Sequence, residues 1–228
     1  MPQLADDDLT ALIDACDTDL GDPNLWFSPD GYPDSLALCI IDSIYSTGAR
    51  YSSVVNVISR YRDYRSSQGG NADTDGTDEL AASIAALGGP DPWATQIGNR
   101  RPTSTAAGAP LKAETIARLA EILTADTLKP VERAWRATPG QRSGITWDYA
   151  LMLAQIPGVK ADRMVIKYVT RAIGCRAGSV LPEQAAQLVS RVAEAKRWNV
   201  IQLDHAIWRV ESGRPFQADA EATRNDGA

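Results

Sequence analysis

The sequence has few of the side chains on which enzyme sites are most often built. It contains a single histidine, His205, and three widely spaced cysteines, Cys16, Cys39 and Cys175. One histidine argues against Ser-His-Asp and Cys-His catalysis and against multi-histidine metal sites. The absence of a C-x-x-C pair argues against a zinc or iron–sulfur site built on cysteine. We therefore expect no metal and no other cofactor, and we expect Cys16 and Cys39, which lie on apolar helix faces, to be buried thiols.

Long apolar runs and strand patterns are also scarce. No run approaches the roughly 18 apolar residues that a membrane span needs, and the acidic start MPQLADDDLTAL lacks the basic and apolar regions of a signal peptide. We therefore expect a cytoplasmic protein with no membrane partner. Helical periodicity, in contrast, is frequent. The sequence predicts an all-α fold of about ten helices and no sheet, arranged as two lobes within a single domain, residues 1–215, and followed by a disordered tail, 216–228.

Several segments carry the periodicity or the end signals of a helix. The first helix opens at the acidic cluster Asp6–Asp8, and a buried central helix lies within residues 35–48, after a Pro33-Asp34 cap. The third helix covers residues 50–65 and turns four apolar side chains inward: Val54, Val57, Ile58 and Tyr61. Further helices are predicted within residues 77–89, 112–125, 128–138, 182–197 and 203–213. Asp204 and His205 are expected to cap the last of these and to pack at its start.

Charge is distributed unevenly along the chain. The net charge is −6, which argues against nucleic acid as a partner, yet residues 1–90 carry four Lys/Arg against 15 Asp/Glu and residues 129–214 carry 14 against seven. An asymmetry of this kind is expected when one face of a protein meets a polyanion. The alternative is that the two halves of the chain attract one another. A protein partner that binds the acidic N-terminal half is a further possibility.

Residues 151–169, LMLAQIPGVKADRMVIKYV, have the pattern of two helices joined by a tight turn. Pro157-Gly158 turns the chain, with a positive φ expected at the glycine, and Val159 is expected to fill the core. The first N–H groups of the second helix, together with its dipole, suit one backbone phosphate. In these features the chain resembles the helix–hairpin–helix DNA glycosylase superfamily (the endonuclease III and adenine glycosylase group), whose hairpin reads L-P-G-V-G before a helix.

The resemblance extends ahead of the hairpin and covers about residues 30–210. Ser43 and Thr47, in DSIYSTGARYSSVVNVI, fall on the family's L-S-x-x-T, and WATQIG with the helix after it is similar to the segment that leads to the family's hairpin. The resemblance implies a helix–hairpin–helix glycosylase fold with the hairpin at about residues 150–172. It also implies DNA as the partner, and hence association with the nucleoid if the protein is bacterial.

The residues that perform the family's chemistry are missing. The lysine that forms a Schiff base in the bifunctional enzymes falls at Asp162, and an aspartate cannot form the imine. The family's second hairpin glycine is Lys160. The aspartate of the monofunctional relatives falls one or two residues before Glu183, the nearest carboxylate. We therefore expect a divergent member, in which Asp162, Glu183 and Asp148 are the candidates for any catalytic carboxylate.

Asp162 has a structural interpretation as well. It is placed to cap the second helix by accepting the N–H of Met164 or Val165. A carboxylate at this position competes with a phosphate for the same helix end, and Lys160 can offset its charge.

Four cations follow the turn at steps of three and four residues and form one ridge on a helix: Lys160, Arg163, Lys167 and Arg171. Together with Gly158, this ridge is predicted to contact DNA phosphates, and the alternative is an ordinary solvated helix face. The resemblance adds Tyr45, which is either a wedge for the gap left by a flipped base or a core residue. Arg50, Arg100 and Arg101 lie in loops from which they can reach phosphates. Arg142, Trp147 and Asp148 either line a pocket or serve packing.

Three functions therefore stay open. The first is a DNA-binding protein of glycosylase-like fold that recognises duplex DNA, damaged or modified, without the standard catalytic residues. The second is an active monofunctional DNA glycosylase for an unusual base. The third is a helical adaptor between proteins, in which the hairpin is only structural.

Overall fold

The structure, a computed structural model, describes residues 6–27, 30–122 and 128–214, with the side chains of 128–130 left aside. The described residues form eleven α-helices and two 3-10 helices and contain no β-strand, which confirms the all-α prediction. The α-helices are α1 (Asp6–Asp19), α2 (Leu36–Tyr45), α3 (Tyr51–Ser67), α4 (Thr77–Ala86), α5 (Pro90–Gln96), α6 (Lys112–Ile122), α7 (Leu128–Ala137), α8 (Ile145–Leu153), α9 (Arg163–Ala172), α10 (Pro182–Lys196) and α11 (Val200–Glu211). The predicted tail lies outside the described residues. No helix among those described is long and apolar enough to cross a membrane.

The chain divides into two compact units. The central unit is Gly31–Ile156, and the terminal unit combines the described residues up to Asp30 with those from Pro157 onward. Each unit has its own cluster of buried apolar side chains. The boundary between the units falls after Ile156, within the segment that the sequence predicted as a hairpin.

Helix α2 lies at the centre of the core of the central unit. Every residue from Ala37 to Tyr45 is buried, because the helix LALCIIDSIY is apolar on most sides. Ser35 rather than Pro33-Asp34 caps it, since its hydroxyl accepts the N–H of Leu38 at 3.2 Å. The four side chains predicted to face inward from α3 are all buried, so that prediction is confirmed.

The core of the terminal unit is built by helices from both ends of the chain. Leu12 and Cys16 of α1 are fully buried among apolar residues of α9, α10 and α11. Val159, ahead of α9, is 8% exposed and belongs to the same cluster, as predicted. Burial of each such aliphatic side chain contributes about 1.5–3 kcal/mol to folding, so the N-terminal helix is an integral part of this unit.

Two element predictions were wrong in detail. Helix α5 was not expected, because a seven-residue segment that begins Pro-Asp-Pro gives little periodicity, although Pro90 at the first helical position is a start signal. Helix α11 begins at Val200, three residues earlier than predicted. Asn199 caps it by accepting the N–H groups of Ile201 and Gln202, at 2.9 and 3.1 Å. Asp204 is therefore inside the helix and does not cap it.

Candidate functional site

The turn between α8 and α9 is irregular. Helix α8 ends at Leu153, and the left-handed residue that follows is Gln155, with a φ of 59°. Gly158 is not among the described glycines with positive φ, so the expected reason for a glycine there was wrong. Ile156 was expected to close the first helix, but it lies beyond the helix end and is 38% exposed. The tip of the turn therefore presents an apolar side chain to solvent.

Two carboxylates fix the backbone from Lys160 to Val165. Asp162 Oδ1 accepts the N–H of Met164 at 2.8 Å and that of Val165 at 3.2 Å, which confirms the predicted cap. Asp204, 4% exposed on α11, accepts the N–H of Lys160 at 3.0 Å. Asp204 thus fastens the turn to α11, a role that the sequence did not suggest, because the two residues are 44 positions apart.

Three other N–H groups of the turn make no hydrogen bond with the described residues. Within the described parts of the chain, the N–H groups of Gly158, Val159 and Ala161 donate to no acceptor. A backbone N–H that is shielded from water without an acceptor costs about 1–3 kcal/mol. The segment from Pro157 to Arg163 therefore contains three N–H groups with no acceptor within the described chain.

The predicted basic ridge on α9 divides into two parts. Near the C-terminal end of the helix, Lys167 lies 2.6 Å from Glu211, and Arg171 pairs with Glu211 and with Asp19. Arg163, in the first turn, is exposed and has no ion pair with any described residue. For Lys167 and Arg171 the structure gives an intramolecular role.

Other cations of the C-terminal half also meet carboxylates of α1. Arg191 contacts Asp6 at 2.9 Å, and Lys196 contacts Asp17 at 2.7 Å. Together with the pairing of Arg171 with Asp19, these contacts join the acidic start of the chain to its basic end. At these positions the attraction between the two halves accounts for the charge asymmetry.

The structure resolves the two interpretations of Tyr45 in favour of the core. Its side chain is 1% exposed, and its hydroxyl accepts the N–H of Asn99 at 3.2 Å and donates to the carbonyl of Asn99 at 3.3 Å. Burial raises the pKa of this hydroxyl to about 12. A wedge has to protrude, so Tyr45 is not placed to act as one in this structure. Arg50 is exposed just ahead of α3 and makes no cap hydrogen bond.

The three candidate carboxylates differ in their surroundings. Asp162 is occupied as a cap, and Glu183 is exposed in the first turn of α10, where its charge suits the helix dipole. Asp148 is half-buried in the first turn of α8. Burial raises its pKa to about 6, although Arg136 opposes the rise. Asp148 is thus the candidate whose environment most resembles that of a general acid or base.

A carboxylate that the sequence reasoning missed lies in the core of the central unit. Asp42, on α2, is fully buried, and its Oδ2 accepts the hydroxyls of Tyr32 at 3.0 Å and Tyr51 at 3.5 Å. Tyr149 also hydrogen-bonds to Asp42. Burial and this negative charge raise the pKa of Tyr51 to about 12. A single charged residue within the most apolar helix was the signal in the sequence for this cluster.

Of the other residues that were predicted to line a pocket or to reach phosphates, some lie in the core and some at the surface. Trp147 packs edge-to-face on Trp135, with ring centroids 5.4 Å apart, so the packing interpretation is confirmed for it. Arg142 is exposed. Arg100 pairs with Asp91 at 2.7 Å, whereas its neighbour Arg101 is exposed and has no ion pair with any described residue.

No group of three or more His, Cys, Asp or Glu side chains among the described residues is arranged to hold a metal ion. Residues 10–212 match a protein family described as a domain of unknown function (DUF8548). The match covers most of the chain, and the chain therefore belongs to that family. Comparison with curated proteins and with solved structures gave no significant match.

Proposed function

We propose that the protein binds the phosphate backbone of duplex DNA through the segment from Pro157 to Arg163 and does not cleave it. The observation that carries the proposal is the set of N–H groups on Gly158, Val159 and Ala161 that have no acceptor within the described chain. Neighbouring N–H groups of a turn bind anions, and a phosphate oxygen is a suitable acceptor. Because IPGV resembles the hairpin of the DNA glycosylases, we propose that the polyanion is DNA.

The cations beside the turn support the same conclusion. Arg163 is exposed without a carboxylate partner, and Lys160 is half-buried at the turn itself. Asp204 holds the turn in one conformation, so little ordering is needed on binding. Asp162 opposes binding, because its carboxylate already occupies two N–H groups of the helix end. The expected contact is therefore small and sensitive to salt.

The test compares two pairs of charge-neutralising substitutions, one at the turn and one further along α9. Lys160→Gln with Arg163→Gln removes the cations at the turn, and we expect it to abolish binding of a fluorescent duplex at low salt. Lys167→Gln with Arg171→Gln removes cations that are already paired with Glu211 and Asp19. We expect this control to lower the affinity by less than about threefold, because the paired charges are largely neutralised.

Fluorescence anisotropy across a salt titration measures the affinity of the wild type and of both double variants for the duplex. The wild-type affinity should fall linearly with salt on a logarithmic scale. A wild-type chain that binds no duplex at low salt overturns the proposal. If the two double variants lose affinity for the duplex equally, the assignment of the binding site to the turn is overturned.

A second candidate function is DNA glycosylase activity that depends on Asp148. It is favoured by one observation, the half-buried carboxyl with its pKa raised to about 6. This function requires that the wild-type protein forms abasic sites in duplexes with modified or mismatched bases. It also requires that Asp148→Asn loses this activity. Retention of that activity in Asp148→Asn excludes Asp148 as its catalytic carboxylate.

A further inference from the structure

Two segments of the central unit meet at the turn between α7 and α8. Gly140 in this turn has a φ of 84°, and a Cβ added to it would lie 2.8 Å from the Cβ of Thr103. This close approach brings the turn against the loop that carries Arg101 two residues before Thr103. Arg142 lies two residues after Gly140, so the contact places two exposed arginines in one region of the surface.

A third arginine lies over the end of the same turn. Arg136 Nη1 contacts the carbonyl of Ser143 at 3.4 Å, and a Cβ added to Gly144 would meet the Arg136 guanidinium at 2.4 Å. Glu132 pairs with Arg136 at 2.8 Å. Gly144 is the N-cap of helix α8, and the partial positive charge of the helix N-terminus adds to that of the arginines.

A buried polar network holds the turn in place. The indole N–H of Trp135 donates to Thr146 Oγ1 at 3.0 Å, and the hydroxyl of Thr146 donates to Gln141 Oε1 at 2.5 Å. All three side chains are at most 6% exposed. Arg142, which follows Gln141, is therefore carried by a rigid turn, which lowers the entropy that is lost when a ligand binds.

Arg101 and Arg142 make no ion pair with any described residue, although the chain has six more acidic than basic residues. In this they differ from Lys167 and Arg171 of α9, which pair with carboxylates. A guanidinium binds a phosphate through two parallel hydrogen bonds, and two unpaired guanidiniums in one region of the surface suit neighbouring phosphates. We infer that Arg101 and Arg142 form a second contact surface for the nucleic-acid backbone, on the central unit. This inference rests on the proposed function.

The test removes the two unpaired arginines together, as Arg101→Gln with Arg142→Gln. Because each lost phosphate contact lowers the slope of log affinity against log salt by about one, we expect the slope to fall by about two. Arg100→Gln is the matched control, since Arg100 is exposed in the same loop but pairs with Asp91. We expect the control to keep the wild-type slope. An unchanged melting temperature shows that each variant is folded.

The outcomes separate this inference from the proposed function. Wild-type binding to the duplex with an unchanged slope in the double variant overturns the second surface and leaves the proposed function standing. A wild-type chain that binds no duplex overturns both. If the double variant loses binding to phosphatidylserine vesicles but keeps its binding to the duplex, the surface is assigned to a membrane. That result also overturns the inference.

Discussion

The two units of this protein differ in how far apart along the sequence their ion-paired residues lie. In the terminal unit, Asp6, Asp17 and Asp19 pair with cations that lie 185, 179 and 152 positions away in the sequence. In the central unit, the ion pairs connect close neighbours, such as Arg136 with Glu132, four positions before it. The terminal unit thus uses opposite charges to join the two ends of the chain.

This difference changes the interpretation of the charge asymmetry. A run of carboxylates at one end of a chain and of cations at the other is expected of a protein that binds a polyanion, but it is also expected when the two ends fold together. Here the long-range ion pairs show that folding accounts for part of it. The cations that are informative about a partner are those without a carboxylate, and they include Arg163 in the terminal unit and Arg101 and Arg142 in the central unit.

The largest effect on stability is expected where a carboxylate is buried in the central unit. Asp42→Ala leaves the hydroxyls of Tyr32, Tyr51 and Tyr149 without their acceptor. We expect the free energy of unfolding to fall by about 3–5 kcal/mol, since each buried hydroxyl without a partner costs about 1–3 kcal/mol. Urea denaturation followed by circular dichroism measures the change.

The matched change in the terminal unit is Asp17→Asn, which breaks the partly exposed pair with Lys196. A surface pair contributes at most about 1 kcal/mol. Equal losses in Asp42→Ala and Asp17→Asn contradict the distinction between the two units. Asp42→Asn keeps one acceptor oxygen and should lie between them.

Local structure was predictable to the extent that it depends on neighbouring residues. The inward face of α3 follows from apolar residues at helical spacing, and the cap at Asp162 follows from a carboxylate just before a helix. Helix α5 was missed, because its start is marked by prolines rather than by periodicity.

Contacts between distant residues were not predictable from such patterns. Asp204 fastens the turn through the N–H of Lys160, and Glu211 neutralises Lys167, yet neither carboxylate lies near its partner in the sequence. The four cations of the ridge have the predicted spacing, but Lys167 and Arg171 are paired with carboxylates, whereas Arg163 has no ion pair with any described residue. The site is set by the packing of α11 on α9, which no local signal reports.

A smaller effect is expected at Asp148, whose carboxyl interacts with Arg136. Burial raises its pKa to about 6 from 3.8, so the folded protein holds a proton that the unfolded chain releases between these values. Stability from this proton is present below pH 3.8 and is lost as the pH rises through about 6. Asparagine does not ionise, so Asp148→Asn avoids this loss. We expect its free energy of unfolding at neutral pH to exceed that of the wild type by about 1–2 kcal/mol, a figure reduced because solvent screens the half-exposed carboxyl.

Urea denaturation at several pH values measures this difference. The gain in Asp148→Asn should be small in acid and reach its full size above pH 6, where the wild-type carboxylate is charged. A variant that is less stable than wild type at neutral pH shows instead that the carboxylate makes a favourable contact.

The smallest change in stability, and the sharpest test of the turn, is expected at Asp162. Asparagine caps a helix about as well as aspartate, so Asp162→Asn should change the free energy of unfolding by only a few tenths of a kcal/mol. Asp162→Ala loses the cap as well and should cost about 1 kcal/mol. Both variants remove a negative charge from the place where we propose that a phosphate binds, and both should bind duplex DNA more tightly than wild type. Tighter binding in Asp162→Ala alone assigns the gain to the freed N–H groups of Met164 and Val165, whereas weaker binding in both contradicts a phosphate at this helix end.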